Sequence, residues 1–144
     1  MSERVIKFRV YSKEHNHMIR DIAGIIFYKS KGIIEIQHDP FGFTKHDEKA
    51  LEVMQFTGFT DTNGKELYEG DIIGDWYEVD GDKVLSAIPI LWIDKRGAWC
   101  ADLSYVKNGE TLELLSEELD LYKYEHRGNI YEDPELLTPS TPNS

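Results

Sequence analysis

Short polar turns divide the middle of this chain into β-prone runs at close intervals, which leaves little room there for long helices. Asn63-Gly64 is a strong turn signal, because glycine tolerates positive φ without a Cβ clash and asparagine tolerates it better than most residues. Gly70-Asp71, Asp80-Gly81-Asp82 and Asp94-Lys95-Arg96-Gly97 follow as further turns. Between them lie Ile72-Ile73, Trp76-Tyr77-Glu78-Val79, a long run from Lys83 to Ile93, and Ala98-Trp99-Cys100-Ala101. Runs rich in β-branched and aromatic residues, joined by such turns, predict a β-meander. Pro89 cannot donate a ladder hydrogen bond, so its strand is expected to be at an edge or bulged there.

The flanking regions extend this reading. Val5–Tyr11 partly alternates apolar with basic residues, Ser12–Asn16 is turn-like, and His17-Met18-Ile19-Arg20 can return as the second arm of a hairpin. Gly32–Gln37 and Leu51–Phe56 are β-rich, whereas residues 38–50 and 57–71 are expected to be a polar loop and a turn-dense segment. Leu112, Leu115 and Leu119 fit helical spacing over 110–119, although Asn108-Gly109 could equally turn a hairpin, and 119–127 is expected to be a last strand. The expected fold is mainly β, a small barrel or packed β-meanders with at most one or two short helices. At 144 residues the chain suits a single domain, taken as 1–137, and the Pro- and Ser-rich tail 138–144 is expected to be disordered.

Charge limits the partners. Residues 1–50 carry nine Lys/Arg against seven Asp/Glu, and the remainder seven against twenty, which accounts for the net −11. Binding of a phosphate backbone by most of this surface is disfavoured, because such binding neutralises phosphates with Lys and Arg. The basic strip Lys7, Arg9, Lys13 and Arg20 is the one candidate nucleic-acid contact. Cys100 is the single cysteine, so no intrachain disulfide can form, which suits a reducing compartment. No apolar run approaches the ~20 residues that span a bilayer, and the start of the chain does not resemble a signal peptide. The expectation is a cytoplasmic protein with no membrane contact.

The segment Val53–Ile73 contains a Gln-aromatic-Thr-Gly stretch, an Asp-x-Asn-Gly turn, and Glu-Gly-Asp entering a strand. Together with Gly128-Asn129-Ile130-Tyr131-Glu132-Asp133-Pro134-Glu135-Leu136-Leu137 and the opening Ile6-Lys7-Phe8-Arg9-Val10, it resembles the YopX family. The resemblance implies a small β-rich protein carried by bacteriophages and prophages. It implies no activity, because that family is one of uncharacterised function, and no catalytic residue is carried over. The motif positions Thr57, Gly58, Asp61, Asn63, Gly64, Glu69, Gly70, Asp71, Gly128, Asn129 and Pro134 have an architectural reading. Asp61 and Asn63 can bond local backbone amides, the glycines permit tight turns, Thr57 can join a ladder or cap, and Pro134 can stop a strand or start a turn.

Specific chemistries lack their residues. Asp61-Thr62-Asn63-Gly64 begins like an EF-hand loop, but the fifth and sixth positions are Lys65 and Glu66. His15, His17, His38, His46 and His126 are scattered and no Cys pair exists, so neither a metal site nor a cofactor is expected. Cys100 follows Trp99 in an apolar run and is expected to be buried and inert. No nucleophile elbow, phosphate loop or Rossmann glycine cluster occurs. Trp76, Tyr77, Trp92, Trp99, Tyr105, Tyr122 and Tyr124 are expected to pack in the core rather than stack on bases. The functional expectation is a non-enzymatic module that binds a host or phage protein, with self-association through exposed strand edges as a further option. The alternatives are nucleic-acid binding through the basic strip and an enzyme using dispersed carboxylates.

Overall fold

The computed structural model describes residues 4–106 and 111–138. Strands make up 53% of these and a single α-helix is present among them, so the fold is mainly β. The chain forms two compact units, one ending at Phe56 and the other beginning at Thr57.

The first unit contains β1 (Phe8–Ser12), β2 (His17–Ile19), β3 (Ile22–Tyr28), β4 (Ile33–His38), β5 (Phe43–Asp47) and the start of β6 (Leu51–Thr60). The opening hairpin is present: Val10 pairs with Ile19 and Ser12 with His17, and Asn16 at φ 49° closes the turn. β1 also pairs antiparallel with β6, from Phe8↔Gln55 to Ser12↔Leu51. A second antiparallel sheet has the order β3-β4-β5. Val10, Ile34, Ile36 and Leu51 form the buried core of this unit.

The structure departs from the sequence reading of this unit in two places. Ile22–Tyr28, to which the sequence reading gives no element, is a strand paired with β4, with a register shift between Ile22 and Gly24. Residues 38–50 are not one long loop, because Pro40 and Gly42 (φ 94°) turn the chain so that β5 runs back along β4, Ile36 against Thr44. β5 reads as polar because it is the outer strand of its sheet and four of its five residues are exposed.

The second unit takes the end of β6, then β7 (Glu66–Tyr68), β8 (Asp71–Gly74), β9 (Trp76–Val79), β10 (Asp82–Leu85), β11 (Ile88–Ile93), β12 (Ala98–Asp102), β13 (Leu112–Leu114), α1 (Leu115–Leu121) and β14 (Glu125–Asn129). Residues expected to be turn-dense are therefore partly strand. β6 continues to Thr60 and pairs with β7, and only 61–65 and 69–70 turn. Five strands form a sheet of order β13-β12-β11-β8-β14. Its core is Leu67, Ile73, Ile88, Ile90, Ala101, Leu103, Leu115 and Tyr124.

β9 and β10 form a separate two-stranded ribbon, Val79 paired with Asp82 and Trp76 with Leu85. Its turn holds Asp80 at φ 52° and Gly81 at φ 85°, the pair of positive φ values that a two-residue hairpin needs to match strand twist. The run from Lys83 to Ile93 is not one strand. It breaks at Ser86, whose Oγ accepts from Asp75 N at 2.9 Å while its backbone N donates to Asp75 O at 3.0 Å. β11 lies inside its sheet, yet its ladder with β12 begins only at Ile90. Pro89 therefore sits beyond the end of that ladder while facing Ile72 of β8, which is how a proline fits into an interior strand.

The helical reading of 110–119 holds only from Leu115. Leu112 and Leu114 instead pair with Asp102 and Cys100 as β13. Because α1 runs to Leu121, the last strand starts at Glu125, later than expected. Pro134 opens a short 3₁₀ turn, Pro134–Leu137. The alternative turn at Asn108-Gly109 lies outside the described residues, as does the tail beyond Thr138.

Candidate functional site

The Asp-x-Asn-Gly turn of the motif is organised around one carboxylate. Asp61 directly follows β6 and is 7% exposed. Its Oδ1 accepts from Asn63 N at 2.9 Å and Lys65 N at 2.8 Å, and its Oδ2 accepts from His126 N at 2.9 Å. Burial pushes the Asp61 carboxyl up, but the three backbone donors, from His126, Lys65 and Asn63, outweigh it and hold the group below the usual carboxylate range. With both oxygens engaged, Asp61 acts as a structural acceptor that ties the turn to a residue 65 positions away.

Asp71 repeats the arrangement at the start of β8. It is fully buried, its Oδ2 accepts from Tyr68 N at 2.7 Å, and its Oδ1 lies 3.1 Å from Nε2 of His126. Gly70 (φ 83°) donates to Ile90 O and accepts from Ile130 N, both at 2.9 Å. Thr57 donates its hydroxyl to Leu67 O at 2.7 Å and accepts from Phe59 N at 3.1 Å, beside Gly58 at φ 89°. Gly64, at φ 84°, donates to Asp61 O at 3.0 Å. Glu69 is half-buried between β7 and β8.

The closing motif builds a second knot beside the first. Asn129 pairs with Asp71 across β14 and β8. Its side-chain oxygen accepts from Tyr131 N at 3.0 Å and Glu132 N at 2.8 Å, and its backbone N donates to Asp133 Oδ2 at 3.1 Å. A Cβ on Gly128 would collide with that same Asp133 carboxylate, so the motif requires glycine there. Sequence reasoning missed the roles of His126 and Asp133. Only their spacing to Gly128 marks them, and nothing local announces that His126 reaches both Asp61 and Asp71.

A cleft of about 440 Å³ lies in the same unit, between the ribbon, the α1 helix and the segment before β14. Val79, Ile88, Leu103 and Val106 give it apolar walls. Trp76, Tyr77 and Tyr122 also line it and are 59%, 37% and 50% exposed. Glu118, only 6% exposed, accepts from Tyr124 Oη at 2.9 Å inside it. Burial first, and then this hydrogen bond and the Glu118 charge, push the Tyr124 phenol up. Tyr122 meets Tyr124 edge-on, ring centroids 5.7 Å apart.

The aromatics are thus not a core set, contrary to expectation. Tyr124 is buried and Trp99 partly so, while Trp76, Tyr77, Trp92, Tyr105 and Tyr122 are exposed. The reason is positional: Trp76 and Tyr77 sit on a two-stranded ribbon that pairs with no further strand among the described residues, and exposed Trp92 leans edge-on against Trp99. Cys100 is buried as expected. The basic strip does not form a continuous surface. Arg9 is 2% exposed and Lys13 pairs with Glu52 at 2.8 Å, while Lys7 lies over the Phe56 ring and Arg20 is exposed. Among the described residues no group of three or more His, Cys, Asp or Glu could hold a metal ion.

The fold has a solved counterpart. The crystal structure of protein EF1440 from Enterococcus faecalis is similar with a TM-score of 0.64 and 25% sequence identity, covering 94% of this chain and 99% of that one. No curated protein matches the sequence. The profile of a family described as YopX protein matches residues 7–138, which include both knots and every residue of the cleft. The chain belongs to the YopX family.

Proposed function

We propose that the protein is a binding module that engages another protein through the aromatic-rimmed cleft of its second unit, in the cytoplasm of a bacterium carrying a phage or prophage. The observation that carries this reading is the exposure of Trp76, Tyr77 and Tyr122 around an apolar recess. Large aromatics left in water around a concavity are what protein interfaces bury as anchors. The setting rests on the family resemblance. No helix among the described residues is long and apolar enough to cross a membrane.

A catalytic reading draws less support. The carboxylates that converge, Asp61 and Asp71, are engaged by backbone amides and an imidazole. Binding of nucleic acid through the strip is not favoured either, because Arg9 is buried and Lys13 is paired. The test is affinity capture of the tagged protein from bacterial lysate, with and without nuclease, followed by mass spectrometry. A stoichiometric protein that survives nuclease is the expected result. Partners that vanish on digestion would overturn the reading in favour of nucleic acid.

A further inference from the structure

We infer that the cleft takes a cationic side chain, a guanidinium or ammonium group carried on a basic segment of the partner; this rests on the binding-module reading above. Three carboxylates, Asp75, Glu78 and Glu118, line the recess, and among the described residues no Lys, Arg or His does. The apolar walls thin the water around these charges, so each acts over a lower local dielectric than it would on an open surface. Glu118 is the deepest of them. Tyr124 gives its carboxylate one hydrogen bond, and a phenol has one hydrogen to give, whereas a carboxylate offers about four acceptor sites. A cation entering the recess would add charge-assisted hydrogen bonds to a group that is otherwise costly to bury.

The rim fits the same occupant. Trp76 and Tyr122 line the same recess as the carboxylates, and a cation placed over the face of such a ring is attracted by its quadrupole. A planar guanidinium can stack there while its N–H groups reach the acids. An anionic ligand would meet three like charges, and a wholly apolar one would cover carboxylates without pairing them. The surrounding charge points the same way: from Thr57 onward the sequence has seven Lys/Arg against nineteen Asp/Glu, a field that draws in a basic segment before contact.

The experiment is a titration of the full-length, isotope-labelled protein, followed by amide chemical shifts. The probes are blocked pentapeptides with a central arginine or lysine between glycines, and the same peptide with citrulline, which keeps the shape and removes the charge. We expect saturable shifts confined to residues 75–79 and 118–124 with the charged peptides and none with citrulline. Glu118→Gln should weaken binding by about tenfold, the loss expected for a charge-assisted hydrogen bond. Because Glu118 is buried, that variant could misfold, so Trp76→Ala, at an exposed position, carries the test independently and should weaken binding several-fold. Equal shifts with citrulline, shifts spread over the acidic surface and indifferent to Trp76→Ala, or no shifts at all would each overturn the inference. A nuclease-resistant partner captured alongside a silent titration would overturn the cationic occupant while leaving the binding module standing. The absence of any partner would overturn the module itself.

Discussion

Asp61 shows how much one side chain can hold together. It closes the 61–65 turn through two local amides and fastens that turn to His126 through a third. Asp61→Ala strands three donors in a nearly buried site, and we expect a loss of about 3 kcal/mol in urea unfolding. The sign of the pH effect follows from the depressed carboxyl. The folded state holds its proton less tightly than the unfolded chain, so the stabilisation is present above the unfolded value of 3.8 and is lost as pH falls through the lower folded one. Unfolding curves in acid should therefore converge for wild type and Asp61→Asn, and an unchanged gap at low pH would contradict the assignment. Gly64 is a simpler case. A β-branched side chain at φ 84° is strained even in open space, so Gly64→Val should cost about 2 kcal/mol. An unchanged melting temperature would count against the turn. These local roles of Asp61 and Gly64 were legible in the sequence, because a turn residue declares itself to its neighbours. The His126 contact was not, since it joins positions 65 apart.

At the scale of elements, the two family motifs are one structure. β8 and β14 pair, Asn129 faces Asp71, and Ile130 N donates to Gly70 O. This gives the Gly-Asn-Ile-Tyr-Glu-Asp segment a physical reason. The Asp133 carboxylate that caps Asn129 N occupies the space a side chain at residue 128 would need. Gly128→Ala should destabilise by about 1–3 kcal/mol, and Asp133→Ala in the same chain should recover part of that loss. Strict additivity of the two in a double-mutant cycle would exclude the clash as the cause. Strand content was readable from β-branched runs and turn pairs, whereas strand ends were not. β5 looked like loop because an outer strand in water carries polar residues. The Lys83–Ile93 run looked continuous because the Ser86–Asp75 bonds that break it come from another strand's end. β13 looked helical because leucines at 112, 115 and 119 satisfy a helical spacing even though the first of them lies in a sheet.

On the scale of the whole molecule, the aromatic surplus is the feature that composition could not place. The same tryptophans and tyrosines would serve a core or a surface, and the fold leaves Trp76 and Tyr77 of the ribbon, Tyr122 just after α1, and Trp92 and Tyr105 in water. The acidic balance of the chain, by contrast, was fully visible and bears directly on partner choice. Attraction between a surface of this charge and a basic partner is screened over about 8 Å at physiological salt, so affinity should fall steadily as salt is raised. An affinity insensitive to salt would argue for a purely apolar interface.

The most direct measurement compares partner capture by wild type and by Trp76→Ser/Tyr122→Ser, once urea unfolding curves have established that both are folded. Both side chains are at least half exposed, so the change in stability should stay at about 1 kcal/mol, the scale of the lost Tyr122–Tyr124 edge contact. The account predicts an intact fold that no longer retains the nuclease-resistant partner. Undiminished capture by the variant would show that the cleft is not where this protein binds.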